Sequence, residues 1–328
     1  MRLAIVGAGA WGRTLAGLLA DAAEIVILPR DPTAARALRA LLPASCAVAG
    51  DPAALAGSNA VLLATPSHAL RQAVSSVAPA LAAGIPLVAC TKGFERGTLR
   101  LPAEVIAEVL PENPVACLSG PNLAMEVAGH QPTASVVACR DPFVGERLRD
   151  VLTRPTFRCY ASTDVVGVQA GGALKNVVAI AVGMAFGLGY GDNARAALIT
   201  RGLAEMTRLA VALGAEPMTL AGLAGLGDLV ATCSSPLSRN RRFGELLARG
   251  LDVQEALAAV GEVVEGVPTT EAALELAARH RLTMPIAEEL TAVLRRGRSP
   301  ADAARRLMER PPTWEQAGPP RPAAREET

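Results

Sequence analysis

The periodicity of this chain changes character once, and that change constrains the fold more than any other feature. From Arg2 to about Ser162, short β-branched runs alternate with Ala- and Leu-rich stretches of helical spacing. That alternation is the signature of strands joined by crossover helices in a parallel sheet. It predicts strands at 2–6, 24–28, 60–65, 86–91, 114–118, 134–139 and 157–161. Most of the gaps can hold a crossover helix, and right-handed crossovers give a doubly wound α/β sheet. After Thr163 the strand signal stops. The rest reads as helices over about 164–188, 193–213, 217–224, 239–249, 253–260, 269–279, 285–296 and 300–308. The expected organisation is a doubly wound domain over 1–163 and an all-α domain over 164–310. Residues 311–328 mix Pro, Ala and charge without periodicity and are expected to form a disordered tail.

A length of 328 residues suits two domains with a core each. Apolar residues make up 51% of the chain and aromatics only 3%, so the interior must be built from Ala, Val, Leu and Ile. The net charge of +1 is spread along the chain without a basic stripe, which argues against nucleic acid as a partner. Six cysteines, at 46, 90, 117, 139, 159 and 233, never reach C-x-x-C spacing, so neither a metal site nor a disulfide framework is expected. Met1-Arg2 leads directly into a strand pattern with no signal-peptide features, and a cytoplasmic protein is expected. The apolar run Val177 to Gly191, 15 residues, falls short of the roughly 20 that a bilayer requires and reads as a buried helix. No membrane association is expected.

The first predicted strand ends in Gly7-Ala8-Gly9-Ala10-Trp11-Gly12, followed by a helical stretch. This is G-x-G-x-x-G at the first strand–turn–helix of an alternating domain. Gly7 allows the tight turn, Gly9 lets the backbone approach a pyrophosphate, and Gly12 permits close helix–strand packing. The helix N-terminus then faces the phosphates. A Rossmann-like domain binding a dinucleotide is expected. The second strand ends at Leu28-Pro29-Arg30-Asp31. An acidic residue there would hold a ribose 2′-OH and an Arg would accommodate a 2′-phosphate. Arg30, nearer the strand end, favours NADP; alternatively it is a solvated Arg, with Asp31 holding the ribose or capping the turn at Pro32.

Of 32 basic residues only Lys92 and Lys175 are lysines. Arg stays protonated in proteins, whereas a desolvated Lys shifts toward neutrality and can exchange a proton. Lys175, in Gly171-Gly172-Ala173-Leu174-Lys175-Asn176, sits in a small-residue helix that otherwise reads as buried. Lys92, in Thr91-Lys92-Gly93, follows an apolar strand at the carboxyl edge of the sheet, where open α/β folds bind ligands. Each could instead be a surface cation. Asp228, in Gly225-Leu226-Gly227-Asp228, reads as a loop carboxylate able to approach Lys175 or as an N-cap. Ser238-Arg239-Asn240 reads as an anion site at a helix start or as a solvated basic patch. His68 reads as structural or close to the cofactor, and His130 and His280 have no constellation around them.

Taken in order, these segments resemble the NAD(P)-dependent glycerol-3-phosphate dehydrogenase family over roughly residues 2 to 308. The resemblance rests on G-A-G-A-W-G at 7–12, T-P-S-H at 65–68, T-K-G at 91–93, S-G-P at 119–121, G-V-Q-A-G-G-A-L-K-N at 167–176, N-A-R-A-A-L-I-T-R-G at 193–202, G-L-G-D-L at 225–229, S-R-N-R-R-F-G at 238–244 and V-E-G at 264–266. It implies a proton acceptor at Lys175, assisted by Asp228. It implies substrate contacts at Lys92, Gly120, Asn122, Asp228, Ser238, Arg239 and Asn240. Cofactor contacts are implied at Ala10, Trp11, Arg30, Lys92, Ala124, Arg239, Val263 and Glu265. The chain departs from the family pattern in a short 40–50 segment, in Leu28-Pro29, and in Asn122-Leu123 where Ser/Thr followed by an aromatic is frequent.

The implied reaction is NAD(P)-dependent interconversion of glycerol 3-phosphate and dihydroxyacetone phosphate for phospholipid synthesis, with a homodimer as the candidate assembly. The rivals are a β-hydroxyacid or 6-phosphogluconate type dehydrogenase, against which S-R-N-R-R-F and G-L-G-D-L argue, and a dinucleotide-sensing protein without turnover.

Overall fold

A computed structural model describes residues 1–312. In chain order the first half runs β1 (Arg2–Val6), α1 (Ala10–Leu19), β2 (Glu24–Leu28), α2 (Ala35–Arg39), β3 (Cys46–Val48), β4 (Ala60–Leu63), α3 (Leu70–Val77), β5 (Leu87–Ala89), α4 (Pro102–Val109), β6 (Val115–Ser119), α5 (Ala124–Ala128), β7 (Thr133–Cys139), α6 (Pro142–Leu152) and β8 (Phe157–Ser162). Among the described residues these eight strands form one sheet in the order β3-β2-β1-β4-β5-β6-β7-β8. Leu3, Ile5 and Leu62 turn to one face of the sheet and Ala4, Val61 and Leu63 to the other, and each set lies in its own apolar cluster. Burial on both faces explains why these strands read as continuous apolar runs instead of alternating ones.

Two features of this first half differ from the sequence expectation. β3, within the short 40–50 segment, escapes prediction because three residues at the sheet edge carry no measurable period. The sheet is also not parallel throughout: β7 runs antiparallel to β6, and β8 follows β7 in parallel. Only the short α5 lies between β6 and β7, so this connection does not make the parallel crossover the alternation suggested.

The second half is helical: α7 (Val165–Gly187), α8 (Asp192–Ala212), α9 (Pro217–Ala221), α10 (Asp228–Ser234), α11 (Arg239–Ala248), α12 (Val253–Val260), α13 (Gly266–Arg279), α14 (Pro285–Arg296) and α15 (Pro300–Met308). Asp164 makes the transition from sheet to helix. Its carboxylate accepts from Gly167 N at 2.7 Å, capping α7, and from Glu216 N at 2.9 Å, fastening the start of α9 to the same corner. The length of α7, 23 residues, would suffice to cross a bilayer, but 94% of its most apolar window is buried within the fold. It is the axis of the helical half. Gly244 of α11 lies so close to it that a Cβ there would stand 2.1 Å from Ile180 O.

α10 and a single π turn over Leu223–Gly227 occupy 223–234, of which sequence reading assigned 225–234 to no helix. Glycines at 222, 225 and 227 mask the helical period there. α13 likewise begins at Gly266, ahead of its predicted start. All six cysteines are buried and free, and no group of three or more His, Cys, Asp or Glu could hold a metal ion among the described residues. The expected tail lies outside the described residues except for its first two positions.

Candidate active site

The carboxyl ends of β1, β4, β5 and β6 deliver four loops to one edge of the sheet. In the first, Gly7 has φ +103°, and a Cβ on it would stand 2.7 Å from Ala64 O. A Cβ on Gly12 would lie 1.9 Å from Gly7 O, so α1 can rest on the turn only because both residues lack one. No neighbouring group among the described residues comes within 4 Å of a Cβ built on Gly9. The backbone is open on that side. α1 starts without a side-chain cap and without an acidic residue in its first turn, which leaves its amide donors for an anion. These residues fit the pyrophosphate of a dinucleotide.

Ala10 and Ala124 border a cavity of about 450 Å³, and Thr14 Oγ1 donates to Ala124 O at 3.2 Å, joining α1 to α5. Trp11 packs against Phe157, ring centroids 6.4 Å apart. At the end of β2, Asp31 Oδ1 accepts from Thr33 Oγ1 at 2.7 Å and Thr33 N at 2.9 Å. These bonds hold its carboxyl below the usual range. Asp31 thus caps the turn at Pro32. Arg30 beside it is exposed and makes no ion pair among the described residues.

Across the sheet edge lies α7. A Cβ on Gly172 would stand 2.5 Å from Ser119 Oγ and 3.5 Å from Lys92 Cγ, so the helix meets the end of β6 and the loop after β5 at direct contact. This contact brings the two lysines to one carboxylate. Lys92 Nζ donates to Asp228 Oδ2 at 2.6 Å and to Gly120 O at 3.0 Å. Lys175 Nζ donates to Asp228 Oδ1 and, at 2.7 Å, to Thr232 Oγ1. Thr232 Oγ1 donates in turn to Asp228 Oδ1 at 3.3 Å.

Asp228 is the first residue of α10, but Gly227 holds the cap position and the carboxylate makes no cap bond. It faces the lysines instead. Burial pushes the Lys175 ammonium down to about 7, with Lys92 adding to the fall and Asp228 opposing it. An amine so placed can both release and return a proton near neutrality. Thr232 is a member of this cluster that sequence reasoning missed. It lies four residues after Asp228 on one face of α10, a spacing visible only once that helix is assigned.

The remaining expected residues form a second group. Ser238 caps α11 by accepting from Arg241 N at 3.2 Å. Asn240 is buried as a strut: its Nδ2 donates to Asn176 Oδ1 and its Oδ1 accepts from Gly266 N, both at 2.9 Å. Arg239 is exposed and, among the described residues, meets only Glu262, at 3.3 Å. Val263 is exposed nearby. Glu265 accepts from Ser67 N at 3.1 Å and from Ser67 Oγ at 2.7 Å, tying the helical half to the T-P-S-H loop. Its carboxylate lies against Gly93, next to Lys92. In the loop after β6, Asn122 N donates to Gly120 O at 2.7 Å, the carbonyl that also receives Lys92. The structure thus gathers Lys92, Gly120, Asn122, Lys175 and Asp228 closely, and sets Arg239, Val263 and Glu265 along a neighbouring rim.

Residues 2–144 match the N-terminal part, and residues 164–305 the C-terminal part, of NAD-dependent glycerol-3-phosphate dehydrogenase. The chain belongs to this family. Among its relatives is glycerol-3-phosphate dehydrogenase (NAD(P)+) of Thermobifida fusca, 48% identical over 325 residues that cover 94% of this chain and 97% of the relative. The enzyme of the same name from Moorella thermoacetica is 47% identical, with 95% of this chain and 97% of the relative covered. The crystal structure of glycerol-3-phosphate dehydrogenase from Coxiella burnetii superposes with a TM-score of 0.90 at 38% identity, covering 94% of this chain and 99% of that one. The match runs through both halves of the chain.

Proposed function

We propose that this chain reversibly reduces dihydroxyacetone phosphate to sn-glycerol 3-phosphate, with NADPH or NADH, in the cytoplasm and in the service of phospholipid synthesis. The observation that carries this reading is the buried Lys175–Asp228–Lys92 cluster, set where the glycine loop and the helical half meet. A dinucleotide held at Gly7, Gly9 and Gly12 would supply the hydride chemistry of reduction and, in reverse, of oxidation. Lys175 gives its proton to the C2 oxygen as the alcohol forms and takes it back in the reverse direction. Asp228 and Thr232 hold the Lys175 ammonium in place, and their hydrogen bonds stabilise its charged form as water is excluded. Lys92 positions the substrate beside Gly120. Arg239, free to leave its exposed contact with Glu262, takes the phosphate, with Ser238 ordering the start of α11 beneath it. Contacts along Ala10, Trp11, Ala124, Val263 and Glu265 seat the dinucleotide.

In this reading both halves on either side of the division near 163 contribute to cofactor and substrate binding, and the reaction takes place between them. Arg30 receives a 2′-phosphate, because the neighbouring carboxylate is engaged by Thr33, so NADPH is preferred over NADH. A homodimer is the assembly we expect. The decisive assay follows absorbance at 340 nm on adding dihydroxyacetone phosphate to the protein with NADPH or NADH. Oxidation of the dinucleotide supports the reading; tight NADPH binding without turnover on this ketone overturns it.

A further inference from the structure

The end of β6 and the loop after it hold two buried polar atoms without a partner among the described residues, Ser119 Oγ and Asn122 Oδ1. Buried acceptors left unpaired are uncommon in folded proteins and call for an explanation. Here hydrogen-bond polarity determines which end of the Asn122 amide is left over. Ser135, fully buried on β7, has its Oγ 3.1 Å from Ser119 O, an atom that can only accept. The single hydroxyl proton of Ser135 therefore goes to that carbonyl, and its lone pairs can only receive. Asn122 lies 2.9 Å away and turns Nδ2 to them. A flipped amide would set two acceptors against each other or take the proton away from Ser119. Oδ1 consequently points away from Ser135, in a loop whose Gly120 carbonyl binds both Lys92 Nζ and Asn122 N.

We propose that Ser135 is a positioning residue: through Ser119 O it locks the Asn122 amide so that Oδ1 accepts from the C1 hydroxyl of dihydroxyacetone phosphate. This rests on the reaction proposed above. With its phosphate fully ionised, that ketone offers one hydrogen-bond donor, the C1 hydroxyl, and an acceptor-only atom is suited to receive it. An acceptor fixed in this way disfavours a methyl group at C1, which would leave Oδ1 unpaired.

The test compares kcat/KM for dihydroxyacetone phosphate and for hydroxyacetone phosphate, in which C1 is a methyl in place of the hydroxymethyl group. Wild type is expected to prefer the hydroxylated ketone. Ser135→Ala should shrink that preference by about fivefold, the worth of one neutral hydrogen bond, by losing rate on the hydroxylated ketone alone, and Ser135→Thr should restore it. Asn122→Ala, at a half-exposed loop position, should show the same collapse, and the double variant should lose no more than Asn122→Ala. Equal losses on both ketones, multiplying losses in the double variant, or a weakened NADPH Kd with the preference unmoved would each overturn the role of Ser135. Wild-type inactivity on both ketones would overturn the reaction itself and this role with it.

Discussion

The glycine loop and the lysine cluster lie at the same edge of the sheet but are built by opposite means. At the loop, side chains are removed: Gly7, Gly9 and Gly12 create room and backbone donors, and six consecutive residues suffice. At the cluster, side chains from β5's loop, α7 and α10 are pressed together until a carboxylate and two ammoniums share a space with little water. The first site resides in the local chain and the second in the packing of its two halves. Binding and chemistry should therefore fail separately.

The largest expected effect breaks the chemical half alone. Lys175→Met should lower kcat by about 10²–10⁴-fold, the usual worth of a general acid, while the Kd for NADPH stays within a few-fold of wild type. Lys175→Arg should behave alike, because a guanidinium does not give up its proton. A parallel loss of NADPH affinity, measured by fluorescence titration, would show that the two sites are not separable.

The next pair sharpens the contrast within the loop. Gly12→Val must push α1 off the turn and should cost about 1–3 kcal/mol of stability by overpacking, visible as a lower Tm. A Cβ on Gly9 meets nothing within 4 Å among the described residues, so the Tm of Gly9→Val should stay near wild type while NADPH affinity falls by roughly tenfold or more through obstruction of the phosphates. Equal Tm losses would show that Gly9 serves the fold and not the ligand.

A pH titration examines the cluster. Lys175 must carry its proton to reduce the ketone, so kcat/KM for reduction should fall as pH rises through about 7, and oxidation should rise over the same interval. Asp228→Asn removes the charge that holds the ammonium up and should move the reductive limb to lower pH. An unmoved limb would assign it to another group. The smallest effect belongs to Arg30→Ala: roughly tenfold weaker NADPH binding from one lost charged contact, with NADH unchanged.

Much of the architecture was legible in the chain because the cues are local. The strand of β1, the helix α7 and the G-x-G-x-x-G turn between β1 and α1 each follow from neighbouring residues. β3, only three residues long, and α10, preceded by glycines, were not legible, since neither presents enough turns or alternations to register a period. The reversal of β7 also escaped, because strand direction depends on the path of the connection and not on the strand's own composition. Lys92, Lys175 and Asp228 could be named from residue chemistry and from the family motifs. Thr232 could not, and neither could the Ser67–Glu265 tie, whose partners lie 198 positions apart.

By itself, then, the sequence determined the elements with strong periods, the glycine turn, and the choice of lysine at two positions in a chain that otherwise uses arginine. The tertiary structure decided that both lysines share one carboxylate, that Asn240 is a buried strut while Arg239 stays at the surface with Glu262, and that Asp31 is engaged by Thr33. The physical reason is range. Backbone conformation and periodicity act over a few residues. A proton affinity near 7 and a fixed hydrogen-bond direction arise from desolvation and from partners that meet only when the two halves pack.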